Sequence, residues 1–441
     1  MAGFMANQLG MRMLAPARRI SMVTPVAKQR TCALVFDESP CAAGDVTAEI
    51  LSTLSAVKAK ATFVVYGSTA ENYPDRRGKA GKESWRGVRY AHLPDLDADA
   101  DGGAAEHPEL LRKISAEGHE LAVSGFRMIP ASKRPFSRRV SFTDAPSHAD
   151  DLQRILALTE AVSANVCSYL PPMGEILLPD SKSVYDVCNA FSLNCLDPYC
   201  DFGHRFFTGN DPDVEAKRIV RSIKARLASD PACFDGKLLR FSGGICPTLK
   251  GAPTPSAIVE VLKMLTANGY RICSVRSLLA DSPFEDISES DSCFASAKAM
   301  LEQGYTVASR GNKFRPDAPV TREALYTMLV PKHIMCDYMR SRLYRTTAAF
   351  ELNHKSEKDF YMAPGMAASA GMFYAYALGW PLERRQNEMT TRTFAAFLEK
   401  ASAGRKLQWT APSDAQLRRK DVIDVLWQFI SEEEIPQNGE K

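Results

Sequence analysis

The sequence predicts an α/β domain followed by a smaller all-α domain. Strand-like apolar runs alternate with amphipathic helical patterns from residue 31 to about residue 280, which is typical of α/β folds. Residues 281–441 show helical patterns with short loops and no convincing series of strands. Residues 1–30 are basic, rich in methionine and free of acidic residues, so we expect a disordered lead-in.

The composition is that of an ordinary globular protein, with 45% hydrophobic and 24% charged residues. The net charge of +3 is too small to indicate a nucleic-acid partner. No apolar run approaches the roughly 20 residues needed to cross a bilayer, so no transmembrane segment is expected. The oligomeric state is unknown from the sequence.

The eleven cysteines are an odd number and include no CxxC pair, so neither a disulfide framework nor a zinc ribbon is indicated. Free thiols at this density favour a reducing compartment. The N-terminal segment also lacks an apolar run of roughly 7–15 residues, the length of a signal-peptide core. We therefore expect the chain as written to be cytoplasmic.

The first strand of the α/β domain ends in two adjacent carboxylates. Residues Thr31–Phe36 are strand-like, and Asp37 and Glu38 follow directly before a turn at Pro40. A helix over 46–57 and a buried strand over 60–67 complete a βαβ unit, which predicts parallel pairing. Asp37 and Glu38 then lie at the carboxyl end of a parallel strand, where α/β folds place their chemistry.

The same alternation continues to the end of the domain, where it fits either an open sheet or a barrel. The further helices are expected at 107–117, 147–161, 183–193, 212–228 and 255–268, and the further strands at 119–123, near 195, at 237–241 and at 270–275.

Residues 31–279 resemble the polysaccharide deacetylase family, which is defined by the NodB homology domain. Four segments carry the resemblance in the expected order: VFDESP at 35–40, KATFVVYG at 60–67, PELLRKISAEGHEL at 108–121, and the closing strand, helix and strand within 237–275. The resemblance implies a distorted (β/α) barrel. It also implies metal-assisted hydrolysis of the amide bond of N-acetylated sugars, with carbohydrate as the substrate class.

Carried over residue by residue, the resemblance makes Asp37 the catalytic base and Glu38 a zinc ligand in place of an aspartate. The other family positions have changed. Ser124 and Met128 replace the two zinc-binding histidines, Leu170 replaces an arginine, and Phe241 replaces the catalytic histidine. A catalytic zinc needs about three protein ligands. The substitutions therefore predict a catalytically impaired protein that binds carbohydrate or a partner, with no cofactor expected.

Two alternatives stay open. In the first, the protein is an active carbohydrate N-deacetylase that binds zinc in a rebuilt site made of Asp37, Glu38 and a histidine such as His204. In the second, it is a structural or interaction protein whose cleft is plugged by apolar side chains. Without a metal, Asp37 and Glu38 can also simply cap a turn. We expect His119 to be a structural, hydrogen-bonded residue and His107 to be a surface residue. A nucleophilic role for Cys195 or Cys200 has no base obviously near it.

Residues 282–330 resemble an S-layer homology module, on the strength of PFEDI at 283–287 and FRPDAPVTREA at 314–324. Two further segments, which begin at Met389 and Leu417, are similar to VTREALYTML at 320–329. They follow it at irregular spacings of about 70 and then about 28 residues. Such modules work in threes and bind cell-wall polymers. This resemblance implies a bacterial protein at the cell wall, which is the alternative to a cytoplasmic location.

Overall fold

The computed structural model describes the chain in segments that cover most of the two predicted domains. The described residues are 18–25, 29–41, 45–68, 84–85, 88–89, 103–127, 145–162, 164–172, 184–203, 207–209, 211–244, 251–308, 312–344, 371, 375, 378, 388–402, 407–410, 412 and 416–431. The chain divides into two compact units. The sheet unit comprises residues 19–188 and 193–283, and the helical unit contains the chain from Phe284 onwards.

The strands of the sheet unit are short except at its centre. They are β1 (Arg19–Ile20), β2 (Thr31–Ser39), β3 (Thr62–Tyr66), β4 (Ser84–Trp85), β5 (Val88–Arg89), β6 (Glu120–Gly125), β7 (Ser168–Tyr169), β8 (Asn194–Leu196), β9 (Cys200–Phe202), β10 (Lys237–Ser242) and β11 (Arg271–Cys273). Strands β4 and β5 form a separate antiparallel pair.

The helices of the two units follow the same numbering from the N-terminus. They are α1 (Val46–Ala56), α2 (Pro108–Ala116), α3 (Ala145–Glu160), α4 (Val184–Ala190), α5 (Pro212–Ser229), α6 (Pro253–Ala267), α7 (Val275–Asp281), α8 (Phe294–Glu302), α9 (Arg322–Met328), α10 (Lys332–Tyr344), α11 (Thr391–Ala401) and α12 (Arg419–Ser431).

The main sheet is parallel, in the order β1-β8-β7-β6-β3-β2-β10-β9, with β11 paired to the first residues of β2. Strand β2 lies at its centre and is buried along almost its whole length. A central parallel strand is covered on both faces, which explains the continuous apolar run of residues 31–36. The predicted α/β fold class, a distorted (β/α) barrel followed by a helical region, is confirmed.

The two faces of β2 and β10 have different characters. Phe36 packs against Phe63 and Phe241 with ring centroids 5.2 and 5.9 Å apart, which defines an aromatic face. Val35 belongs instead to a buried cluster with Ala33, Val64 and other small aliphatic residues, which defines an aliphatic face. Because side chains alternate along a strand, Asp37 continues the aliphatic face.

Part of the basic N-terminal segment belongs to the sheet unit. Strand β1 pairs with β8, and Val23 donates a backbone hydrogen bond to Gly236 at 2.7 Å. Ile20 and Val23 are fully buried. The sequence assigned residues up to 30 to a disordered lead-in; the apolar side chains at 20 and 23 hold this part of it against the sheet despite its basic composition.

Three equivalent segments of the helical unit are joined by a closed ring of backbone hydrogen bonds. Val320 donates to Leu417 at 2.9 Å, Leu417 donates to Met389 at 3.0 Å, and Met389 donates to Val320 at 2.7 Å. Each of these residues precedes a helix, namely α9, α11 and α12. The three segments therefore meet in one ring, and the helices that follow them contribute to one buried apolar cluster. Within the described residues, no helix is long and apolar enough to cross a membrane.

Candidate functional site

The carboxyl end of β2 carries the two acidic residues that the sequence singles out. Asp37 is 3% exposed, and its Oδ1 accepts a hydrogen bond from the backbone N–H of Glu38 at 2.8 Å. Glu38 has a φ of 61°, in the left-handed region that side chains other than glycine rarely adopt. This residue makes an irregular turn within the end of β2, where the register against β3 shifts between Phe36 and Ser39. The Asp37 side chain bonds the backbone at this turn.

Strand β10 approaches this turn closely. The backbone N–H of Gly243 donates to the Asp37 carbonyl at 2.6 Å, and a Cβ at position 243 would lie 2.7 Å from that carbonyl oxygen. Such a contact is not tolerated, so glycine is needed here. One residue earlier, Ser242 is the register partner of Asp37, and its hydroxyl donates to Glu38 Oε2 at 2.6 Å.

Arg240 joins two carboxylates at the centre of the site. Its Nη2 donates to Asp37 Oδ2, and its Nη1 donates to Asp201 Oδ2 at 3.0 Å. Asp201 lies on β9 opposite Arg240, and its Oδ1 accepts the backbone N–H of Gly203 at 2.8 Å. The side chains of Arg240 and Asp37 are 13% and 4% exposed, whereas that of Asp201 is 29% exposed. Asp201 is therefore the member of this group that solvent reaches.

The pKa values of this group follow from burial and from charge pairing. Burial raises the pKa of Asp37, the Arg240 guanidinium opposes that rise, and the neighbouring Glu38 adds to it, so that the net direction is upward. Burial alone would lower the pKa of Arg240. Asp37, Asp201 and Glu38 outweigh it and raise that pKa above its usual value. Arg240 thus stays a cation at any physiological pH.

Phe241, which the sequence assigned to the position of the catalytic histidine, does not reach Asp37. Its ring is fully buried on the aromatic face, stacked on Phe202 with centroids 5.3 Å apart. Arg240, one residue earlier, is the residue of β10 that contacts Asp37. Arg240 and Phe241 lie on opposite faces because side chains alternate along a strand, and the family position of Phe241 stays a prediction.

Ser124 and Leu170 lie at the ends of β6 and β7, and their side chains serve packing. Ser124 is 2% exposed, and its hydroxyl donates to the Leu170 carbonyl at 3.0 Å. Leu170 is 4% exposed and belongs to the aliphatic cluster of Val35 and Val64. Neither side chain is directed to a metal. Met128, the other position that the resemblance identified, lies outside the described residues.

The backbone after β6 is clamped by a buried carboxylate. Asp151 accepts hydrogen bonds from the backbone N–H groups of Phe126 at 2.8 Å and Arg127 at 3.1 Å, and from Arg127 Nε at 2.7 Å. Burial raises the pKa of Asp151, against the opposing effect of Arg127. The guanidinium carbon of Arg154 also lies over the Phe126 ring, 3.6 Å from the centroid of that ring. This loop is held by packing and charge pairing.

Three of the described histidines contact other groups of the protein. His119 accepts the backbone N–H of Ala61 at 3.2 Å, and burial, with Lys60, lowers its pKa to about 4. His107 lies 3.1 Å from Glu109 at the start of α2, and His148 contacts the Tyr169 hydroxyl at 2.9 Å. His204 lies outside the described residues.

The thiols of Cys195 on β8 and Cys200 on β9 are both buried. Arg226 donates to Cys200 Sγ at 2.8 Å; burial nevertheless raises the pKa of the Cys200 thiol, and Arg226 opposes that rise. Cys195 is 1% exposed on β8. A nucleophilic thiol needs a lowered pKa and access to substrate, so these two cysteines do not fit that role.

The residues that the structure describes do not fit a zinc ion. Within the described part of the chain, no three histidine, cysteine, aspartate or glutamate side chains come together as a metal site. Ser124 is bonded to a backbone carbonyl, and Glu38 is bonded to Ser242. The Arg240 cation also contacts Asp37, where it would repel a second cation. We derive no metal-dependent step.

Sequence reasoning missed Arg240 and Asp201. The signal for them is the alternation along two paired strands. With Phe241 and Phe202 on the aromatic face, the residues that precede each of them must lie on the aliphatic face beside Asp37.

Residues 25–179 match the polysaccharide deacetylase family model. The match covers roughly one third of the 441 residues and includes β2, β3, β6 and β7, but neither β9 nor β10. The deacetylase-type segment therefore contains Asp37, Glu38, Ser124 and Leu170. A comparison with curated protein sequences gives no match.

Solved structures similar to this chain include deacetylases and one pseudoenzyme. A CE4 family pseudoenzyme from Bacillus anthracis is 17% identical, with 60% of this chain and 70% of that chain covered and a TM-score of 0.40. A chitin deacetylase from Colletotrichum lindemuthianum is 14% identical, with 61% and 94% covered and a TM-score of 0.40. The peptidoglycan deacetylase PdaC from Bacillus subtilis is 19% identical, with 57% and 91% covered and a TM-score of 0.36.

Proposed function

We propose that the sheet unit is a carbohydrate-binding domain of the polysaccharide deacetylase type that does not hydrolyse amide bonds. The observation that carries the proposal is the position of Arg240, which lies on the aliphatic face of β10 and contacts Asp37. Amide hydrolysis needs a group that donates a proton to the leaving amine. A guanidinium does not release its proton at neutral pH, so Arg240 cannot supply it.

The state of Asp37 supports the same conclusion. One carboxylate oxygen accepts a hydrogen bond from the Glu38 backbone and the other accepts one from Arg240. The lone pairs that remain are out of the reach of solvent, because the side chain is only 4% exposed. A general base must approach the water it activates within about 3 Å. This carboxylate is used instead to hold Arg240 and the turn after β2.

The test is metal analysis of the purified chain combined with two assays on an N-acetylglucosamine oligomer, one for acetate release and one for binding. We expect no stoichiometric zinc, no acetate release and measurable oligomer binding. One tightly bound zinc per chain together with acetate release would overturn the proposal. Asp37→Asn then decides whether such activity uses the rebuilt site, because loss of acetate release in that variant would support the active alternative with Glu38 and His204.

A second candidate is an interaction protein with a plugged cleft. The observation in its favour is the burial of Leu170 in the aliphatic cluster, together with the bond from Ser124 to the Leu170 carbonyl. These contacts fill the end of the sheet near β6 and β7 with apolar atoms. If the purified chain binds no carbohydrate oligomer in the assay above, this candidate replaces the first.

For the helical unit, we infer an S-layer-homology-like module that binds a cell-wall polymer. The ring of hydrogen bonds among Val320, Met389 and Leu417 supports three copies of one motif. In two of them a threonine caps the helix: Thr321 accepts from Ala324 N–H, and Thr390 accepts from Thr393 N–H. Co-sedimentation of the purified chain with cell-wall material tests this, and absence of sedimentation contradicts it.

A further inference from the structure

Among the described residues at the carboxyl end of β2, carboxylates outnumber cations. The carboxylates of Asp37 and Asp201 pair with the guanidinium of Arg240, and that of Glu38 accepts a hydrogen bond from the neighbouring Ser242. We propose that this site binds an oligosaccharide that carries free amino groups, and that it prefers such a ligand to its N-acetylated counterpart. The inference rests on the proposed carbohydrate-binding function and adds the chemical class of the ligand.

Asp201 is the carboxylate best placed to contact the ligand. A carboxylate has about four lone-pair sites. Within the described residues, Asp201 uses Oδ1 for the Gly203 N–H and Oδ2 for Arg240, and its side chain is 29% exposed. It can therefore accept further donors from solvent. An ammonium group offers three donors and a positive charge, and charge-assisted hydrogen bonds of this kind are about twice as strong as neutral ones.

Two buried polar atoms supply an independent observation at the same place. Ser39 is fully buried and its Oγ has no hydrogen-bond partner among the described residues, and neither has Arg240 Nε. Ser39 Oγ and the Asp37 carbonyl oxygen each lie 2.7 Å from the point that a Cβ on Gly243 would occupy. Buried polar atoms are nearly always bonded in native structures, so these two atoms indicate a further polar partner at the site, either water or a ligand hydroxyl.

An amino sugar meets both requirements. Its ammonium group matches the excess of carboxylates, and its hydroxyl groups can accept a hydrogen bond from Arg240 Nε and exchange one with Ser39. An acetamido group brings no positive charge to the three carboxylates. General attraction does not explain such a preference, because the whole chain carries a net charge of +3 and repels a cationic oligomer at long range.

The experiment is calorimetric titration of the full chain with a glucosamine tetramer and, separately, with an N-acetylglucosamine tetramer. The variants are Asp201→Asn, which keeps the shape of the side chain, and Glu260→Gln as a matched control. Glu260 is an exposed carboxylate on α6 that pairs with Lys263. Urea unfolding of each variant establishes that it is folded.

We expect the wild-type chain and Glu260→Gln to bind the glucosamine tetramer about tenfold more tightly than the acetylated tetramer, and Asp201→Asn to lose that preference. Equal binding of the two tetramers, or tighter binding of the acetylated one, would overturn this inference while leaving the proposed function intact. If Glu260→Gln lost the preference for the glucosamine tetramer as fully as Asp201→Asn, the inference would also be overturned, since the preference would then come from general surface charge. Binding of neither tetramer would refute the proposed function itself.

Discussion

The carboxyl edge of the sheet has two sides that differ in chemistry. On the charged side, the ends of β2, β9 and β10 bring together Asp37, Asp201 and Arg240 in a network of ion pairs. On the apolar side, the ends of β6 and β7 bring together Ser124 and Leu170, whose side chains are buried. The same edge of one sheet therefore combines a polar group that faces solvent through Asp201 with a half in which the side chains of Ser124 and Leu170 are packed away from solvent. We expect a ligand to contact the charged side.

The largest effect is expected from Arg240→Leu on the charged side. The substitution leaves Asp37 buried without its cation, and breaking a buried pair in this way typically costs about 3–5 kcal/mol of the free energy of unfolding. Urea unfolding at neutral pH measures it. The matched control is Lys263→Leu, which breaks an exposed pair with Glu260 and should cost less than about 1 kcal/mol. Similar losses in the two variants would show that the Arg240 network does not stabilise the fold.

An effect of intermediate size is expected from acid on the apolar side. Burial lowers the pKa of His148, which contacts Tyr169 of β7, to about 3. The unfolded chain binds a proton at this histidine below pH of about 6.5, whereas the folded chain does not. Above about pH 6.5 this histidine therefore does not reduce the free energy of unfolding. Below that pH it lowers the free energy of unfolding by about 1.4 kcal/mol per pH unit, until the pH approaches 3.

The measurement is the free energy of unfolding in urea at pH 7, 6 and 5, for the wild-type chain and for His148→Phe. The variant should lose about 2 kcal/mol less than the wild type between pH 7 and 5. The control is His333→Phe, because His333 is exposed in the helical unit. Parallel pH profiles for the wild type and His148→Phe would refute the assignment of acid sensitivity to this residue.

The smallest effects come from a matched pair of serines, one on each side. Ser242→Ala removes a hydrogen bond to the Glu38 carboxylate and should cost about 1.5 kcal/mol, the low end for bonds to charged groups. Ser124→Ala removes a bond to a neutral carbonyl and should cost about 1 kcal/mol or less. Urea unfolding of both variants under one condition compares them. If Ser124→Ala lost more free energy of unfolding than Ser242→Ala, this expectation would be wrong, because the stronger polar contact would then lie on the apolar side.

The sequence predicted the strand that carries Asp37 and Glu38, the parallel βαβ unit and the helical second domain, because these features depend on local patterns. The motif comparison assigned Phe241 to the position of the catalytic histidine, but it could not show that Phe241 and Asp37 lie on opposite faces, because that depends on how the two strands pair. Arg240 and Asp201 could be recognised only from strand pairing, which joins residues far apart in the chain. Strand β1 was missed because residues 1–30 have a basic composition, whereas in the structure the burial of Ile20 and Val23 holds this part of the chain against the sheet.

The ring of backbone hydrogen bonds in the helical unit has a consequence for how that unit unfolds. Each of Val320, Met389 and Leu417 donates to one of the others and accepts from the third, so removing any one segment breaks two of the three bonds. The three amide protons should therefore exchange with solvent together, in a single cooperative opening, although about 70 and about 28 residues separate them in the chain. The connecting lengths can then vary widely among related chains, because the ring depends on which segments meet and only weakly on the length of chain between them.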